Sequence, residues 1–266
     1  MTVHEFGKEH ADAIVLFHPL GVWWDIFEYV IPILEKEYHL ILPAMPGHDP
    51  DQPGSDYTRV EDIAAEMADW LTQRDLRQVR CLYGCSMGGA VVTRMLAEQK
   101  IRPACAVIDA GMTPYALPRW ITFLIGVRDF LMTEMGKHMS LKAMQSVFDP
   151  SKYSPEDLQY VKKVLSSMSA KTIWRGFYSC NNYSMPSPVP LPACPVQYWY
   201  GEQEKKARKA DIAYIRKVFP AAELVENPGQ DHAEFFTLHP DLFCEQLSAF
   251  IAASVQDSPT PAPCDF

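Results

Sequence analysis

The chain has 266 residues, 48% of them hydrophobic and 21% charged, with a formal net charge of −9. That size and balance suit one large globular domain, with or without an insertion, and a substantial core. The negative balance gives no electrostatic reason to expect nucleic acid or an anionic membrane as a partner. No run approaches the roughly 20 apolar residues of a membrane span. The start, Met1-Thr2-Val3-His4-Glu5, lacks the basic and apolar stretches of a signal peptide, so a cytoplasmic location is the simplest expectation. Seven cysteines leave one unpaired in any full disulfide scheme, and none forms a C-x-x-C pair or a Cys/His metal spacing. Cys81, Cys85 and Cys105 lie in apolar runs and read as buried reduced thiols.

Strand-like and helical runs alternate along the chain. Ala13–Phe17 is continuously apolar, as expected of a strand covered on both faces. Residues 24–35 place Ile26, Phe27, Val30, Ile31 and Leu34 at helical spacing, and Leu40–Leu42 is the next strand, ending at Pro43. Thr58–Leu71 predicts a helix with Thr58 and Glu61 as a capping box and Val60, Ile63, Ala64, Met67, Trp70 and Leu71 on its apolar face. Further strands are predicted over Val79–Tyr83, Ala104–Ile108, Val196–Tyr200 and Glu223–Glu226. Helices are predicted over Gly89–Ala97, Asp211–Phe219 and Asp241–Ala252. Such alternation specifies an α/β fold, a mostly parallel sheet with helices on both faces.

Two stretches break the alternation. Residues 112–192 hold no convincing strand; they are helical and rich in Met, Trp, Phe and Tyr, with a proline-led helix start at Ser154-Pro155. An insertion of this kind after the strand ending at Ile108 predicts a helical lid over the strand ends, some of whose apolar residues line a substrate pocket. The expected organisation is therefore a core of residues 1–111 and 193–253 with a lid over 112–192. The tail, 254–266, carries prolines at 259, 261 and 263 and is expected to be disordered.

Between the predicted strand Val79–Tyr83 and the helix after it stands Gly84-Cys85-Ser86-Met87-Gly88, a G-x-S-x-G. Strand, sharp turn and helix together form a nucleophile elbow, which lifts a serine hydroxyl above a sheet edge. Ser86 is thus the candidate nucleophile. A serine hydroxyl needs a base to take its proton as it attacks, and histidine titrates in the right range. Of eight histidines, His232 alone follows a strand and a Pro-Gly turn near the C-terminus, in the Ser–acid–His chain order. His18 and His48 fit structural roles, hydrogen-bonding the loops that carry them.

With these motifs in place, the chain resembles an α/β-hydrolase over nearly all its length apart from the tail. His18-Pro19-Leu20-Gly21 resembles the family's oxyanion loop, Pro43 to His48 its Pro-Gly-His turn, and Gly84 to Gly88 its elbow. Gly201-Glu202-Gln203-Glu204 follows the penultimate strand, where the family places its acid, and Pro228 to His232 follows the last strand, where it places its histidine. The resemblance implies Glu204 as the acid that orients His232, in place of the more usual aspartate. Asp109, at the end of its own strand, is the alternative acid. It implies oxyanion donors at the backbone amides of Leu20 and Met87; Pro19, where relatives carry glycine, has no N–H to give. Trp23 and Trp24 are candidates to flank the acyl pocket, with core packing the competing reading.

The expected activity is that of a serine hydrolase cleaving a small to medium, largely uncharged carboxylic ester through an acyl-enzyme, with no cofactor and no metal. The same machinery handles thioesters, amides and carbon–carbon bonds beside ketones. A ligand-binding protein on this scaffold, without efficient turnover, is the alternative from a different class.

Overall fold

The computed structural model describes residues 1–115 and 117–256. The chain opens with β1 (Thr2–Phe6) and β2 (Ala13–Phe17), then a single 3-10 turn at Trp24–Phe27, α1 (Ile31–Leu34) and β3 (His39–Ala44). It continues through α2 (Val60–Gln73), β4 (Gln78–Cys85), α3 (Met87–Glu98) and β5 (Arg102–Asp109). Four helices follow without a strand: α4 (Arg119–His138), α5 (Leu141–Gln145), α6 (Pro155–Ser167) and α7 (Ala170–Cys180). The order closes with β6 (Val196–Gly201), α8 (Lys209–Val218), β7 (Glu223–Asn227), α9 (Glu234–Leu238) and α10 (Pro240–Gln256).

All seven strands join one sheet in the order β1-β3-β2-β4-β5-β6-β7. Only β1 runs antiparallel, against β3; the other neighbours are parallel. The central strands are apolar throughout because both faces are covered. One face packs Ile63 and Met67 of α2, Val91 and Met95 of α3 and Ile215 of α8. The other packs Phe27, Ile31 and Leu34 against Phe243, Leu247 and Ile251 of α10.

The sequence reading needs correction at several places. β1 is an element it missed, because each of its residues is half-buried on a sheet edge and no apolar run marks it. The helix expected over residues 24–35 is two short pieces instead, Trp24–Phe27 and Ile31–Leu34, the second with Pro32 in its first turn. The capping box expected of Thr58 and Glu61 is not formed: Arg59 is the N-cap and makes no side-chain cap bond. Instead the Val60 N–H donates to Ser179 Oγ at 2.8 Å, and Glu61 accepts from the N–H and hydroxyl of Ser184 at 2.7 and 2.9 Å. The start of α2 is thus completed by residues more than a hundred positions later.

The α4–α7 insertion seats on the loops at the C-terminal ends of β2 and β3. Thr172 of α7 accepts from the Tyr57 N–H at 3.0 Å, and a Cβ on Gly47, at φ +78°, would run into its side chain. Leu20 lies against Gly176, so a Cβ there would have to displace the end of the leucine side chain. Trp23, Val164, Met168 and Ile173 form a small core between insertion and body. The outer side of α4 is a different matter: Trp120, Leu124, Met132 and Met135 are each more than half exposed. Among the described residues no helix is long and apolar enough to cross a membrane, and six cysteines are free. The expectation for the tail falls on residues 257–266, outside the described residues; α10 carries the chain through Gln256.

Candidate active site

The site begins with the backbone of Ser86. It sits between β4 and α3 at φ +52° and ψ −110°, a conformation that L-residues avoid. The turn is held by neighbours on both sides: the Ser86 N–H donates to the Asp109 carbonyl at 2.8 Å, and the Met112 N–H donates to the Ser86 carbonyl at 3.2 Å. The glycines of the motif are required by close approach. A Cβ on Gly84 would strike the Gly88 carbonyl, and one on Gly88 the Phe17 carbonyl at the end of β2. Ser86 is therefore lifted to the sheet edge at the first turn of α3, where unpaired N–H groups gather.

Glu204 and His232 come from loops after β6 and β7 and meet each other. His232 Nδ1 lies 2.8 Å from Glu204 Oε2. The carboxylate accepts, so Nδ1 carries the proton and Nε2 keeps its lone pair, the tautomer a general base needs. The other Glu204 oxygen accepts from the Gly201 N–H at 3.2 Å. Burial pushes the Glu204 carboxyl up, but the His232 hydrogen bond and charge bring it net below the ordinary range. Arg208 Nε stands 3.6 Å from Glu204 Oε2, and its Nη1 is 3.1 Å from Asp211 Oδ2.

Asp109, the alternative acid, is occupied otherwise. Its Oδ2 accepts from the buried Tyr83 hydroxyl at 2.5 Å. Burial raises its carboxyl to about 6; the Tyr83 bond opposes this and the Glu204 charge adds to it. The structure thus brings Glu204, not Asp109, into hydrogen-bond contact with His232, while Asp109 holds Ser86 through its main chain and feels both other charges.

The loop after β2 is fixed by His18. Its Nδ1 donates to the Pro19 carbonyl at 2.8 Å and its Nε2 accepts from the Met45 N–H at 3.3 Å. Both ring nitrogens are used by a neutral imidazole, and burial pulls its pKa down to about 4. His48, whose ring lies 5.5 Å from that of His18, is pushed by burial and by His18 to about 3. Leu20 is held in this loop and Met87 opens α3, so the amides expected as oxyanion donors lie on elements brought side by side by the β2–β4 pairing, Phe17 opposite Gly84.

The two tryptophans part company. Trp23 is buried in the core beneath the insertion, edge-on to Tyr160, whose hydroxyl accepts from the Trp23 N–H at 3.1 Å. It lines a cleft of about 270 Å³ with Gly47, Asp49 and Lys163. Trp24, expected with it, points the other way and stacks on His4 of β1 at 3.8 Å; consecutive residues of an irregular segment face opposite sides, and β1 supplies the nearer apolar surface. A cleft of about 570 Å³ lies between the start of α2 and α7, lined by Arg59, Trp174, Arg175 and Tyr178 rather than by Ser86 or His232.

Sequence reasoning missed Arg208, Asp211 and Tyr83. For the first two a signal existed: Arg208 follows Glu204 by four residues and Asp211 follows Arg208 by three, the spacing of neighbours on a helical face. Tyr83 gave none beyond its place in an apolar strand.

Residues 14–246 match the model of the Alpha/beta hydrolase family. The chain is 22% identical over 253 residues to a pimeloyl-[acyl-carrier protein] methyl ester esterase from Legionella pneumophila, covering 94% of this chain and all of that one. Its fold is shared with a structure of MenH from S. aureus (TM-score 0.73, 16% identity, 96% and 98% of the two chains). It is shared too with a thermophilic esterase from Thermogutta terrifontis (TM-score 0.70, 14% identity, 95% and 93%).

Proposed function

The chain belongs to the alpha/beta hydrolase family, and from that premise we propose that it is a serine hydrolase of carboxylic esters acting through an acyl-enzyme. The observation that carries the reading is the 2.8 Å bond from His232 Nδ1 to Glu204, in a site whose serine is held in a strained elbow. In this reading Ser86 Oγ attacks the ester carbonyl while His232 Nε2 takes its proton. The imidazolium so formed is stabilised by Glu204 and returns the proton to the leaving alkoxide. Water, deprotonated by the same imidazole, then releases the acid. The amides of Met87 and Leu20 serve the oxyanion, a role worth about 10²–10³-fold per donor in rate.

The curated relatives named as methyl ester esterases support ester rather than amide cleavage. The small apolar core beneath the insertion, to which Trp23 belongs, supports an acyl group of low charge. Residues 112–192 act in this reading as a lid.

The decisive measurement is the intact mass after treatment with a fluorophosphonate, beside Ser86→Ala. One adduct on the wild type and none on the variant is the expected result. Folded wild-type protein that takes no adduct would overturn the reading and leave a ligand-binding protein on this scaffold.

A further inference from the structure

Two polar chains run from the His232–Glu204 pair into the insertion, and neither is needed for the proton transfers described above. The first starts at Glu204 and passes through Arg208, 3.6 Å away, to Asp211 at 3.1 Å. Asp211 Oδ1 accepts from both the N–H and the hydroxyl of Thr113, at 2.9 and 2.8 Å. Thr113 is fully buried at the root of the insertion. Arg208 also reaches the Ala110 carbonyl at 3.4 Å, at the left-handed residue that turns the chain out of β5.

The second chain starts at the His232 loop. The Asp231 N–H donates to Glu234 Oε2 at 2.8 Å, and the His232 N–H donates to Asp231 Oδ1 at 2.7 Å. Glu234 is buried, and its carboxylate takes Lys152 Nζ at 2.9 and 3.0 Å and the Tyr153 hydroxyl at 3.2 Å. Lys152 and Tyr153 belong to the insertion, between α5 and α6.

We propose that Arg208 and Glu234 are positioning residues through which the seated insertion completes the His232–Glu204 pair, so that the acid and the base take their working geometry only when the lid is down. The inference rests on the hydrolase reading above and adds to it a coupling between lid position and the competence of the base. The physical reason is that charged groups of this burial are costly to leave unpaired. When the insertion lifts, Asp211 loses the Thr113 donors and Glu234 loses Lys152, and each carboxylate turns to the donors remaining. For Asp211 that donor is Arg208, drawn from Glu204; for Glu234 it is the Asp231 main chain beside His232. A base that misplaces its nitrogen by about 1 Å loses roughly 10²-fold in rate, so the open enzyme would be slow and water would attack only inside the closed site.

The groups facing Glu204 are His232, Arg208, Asp109, Asp211, Cys85 and Tyr198; those facing Glu234 are Lys152, Tyr153 and Asp231. Removing the Arg208 charge therefore takes a cation from beside the Glu204 carboxylate that His232 bonds, which favours the imidazolium. The test measures kcat, KM and the pH profile of kcat/KM on p-nitrophenyl butyrate for the wild type, Arg208→Gln, Arg208→Lys and Lys152→Met. NMR titration of the His232 ring is run on the same proteins. Arg208→Gln is expected to lower kcat about 10-fold or more with KM within about 2-fold, and to move the acidic limb and the ring titration up by roughly half a pH unit or more. Arg208→Lys should restore the limb, having restored the charge. Lys152→Met, made on the insertion alone, should lower kcat about 3-fold with the serine still labelled by fluorophosphonate. A lowered melting temperature with an unmoved limb and an unmoved ring titration in Arg208→Gln would mean that these contacts only hold the fold, and the proposal fails. Wild-type kcat in Lys152→Met would likewise sever the insertion from the site. If the wild type cleaves no ester the hydrolase reading falls by itself, and the ring titration still decides whether Arg208 governs His232.

Discussion

At the scale of single residues, the two candidate acids make opposite predictions. Glu204→Gln keeps the shape but loses the charge that stabilises the imidazolium, and should cut turnover of an activated ester by about 10³-fold or more. Asp109→Asn should cost little activity. It should also stabilise the fold at pH 8 by about 1–3 kcal/mol, because a carboxyl raised to about 6 by burial is charged there against its preference. Thermal unfolding and initial rates measured together check both. The histidines His18 and His48 give a pH dependence of the other sign. Their folded pKa values, about 4 and about 3, lie below that of an unfolded histidine, so their contribution is complete above about pH 6.5 and is lost on acidification through that value. Between pH 6 and 5 each adds close to one proton, or about 1.4 kcal/mol per pH unit, to the slope of unfolding free energy. In urea melts His48→Gln should remove about one proton from that slope; an unchanged slope would mean that His48 is charged in the folded state. The motif residues were legible from sequence because the chemistry fixes their types and the turns fix their neighbours. The choice between Glu204 and Asp109 was not, since it depends on which carboxylate Tyr83 occupies, a partner invisible in a strand of apolar residues.

At the scale of elements, strands β2 to β7 and helices α2, α3, α8 and α10 stood in the sequence as apolar runs of period suited to their burial. What did not stand there were the features decided by tertiary partners. β1 exists because β3 offers an edge, not because its own five residues announce a strand. The start of α2 looks self-capped from Thr58 and Glu61, yet Glu61 is spent on Ser184 and the first N–H on Ser179. Ser179→Ala should therefore cost about 1 kcal/mol of stability, the usual price of a lost cap, while Thr58→Ala should change stability by no more than a few tenths of a kcal/mol. Chemical denaturation of both variants decides it, and the reverse ranking would restore the local capping box.

At the scale of the whole molecule, apolar exposure is uneven. Of the thirteen exposed large apolar side chains among the described residues, ten lie between Leu117 and Phe148, on one part of the insertion. Apolar exposure concentrated in one segment of a folded protein binds hydrophobic dyes and invites association. Trp120→Glu with Leu124→Lys should lower the fluorescence of bound anilinonaphthalene sulfonate at least several-fold without changing the melting temperature by more than about 2 °C. Dye binding that persists unchanged would place the accessible apolar surface elsewhere. The sequence showed that this segment was helical and rich in Met and aromatic residues, but periodicity does not tell an inward from an outward apolar face when a helix such as α4 is apolar nearly all round.

The capping of α2 by Ser179 and Ser184 bears on how this scaffold can be re-engineered. Insertions over a hydrolase core invite exchange, one cap being swapped for another to change substrate range, with the cut made at the ends of the helical segment. Here a replacement that runs past residue 178 would take Ser179, and further on Ser184, from the first turn of a core helix, and the recipient would lose about 1 kcal/mol or more of stability for reasons unrelated to its new cap. A workable graft keeps native chain from Ser179 onward and replaces only what precedes it.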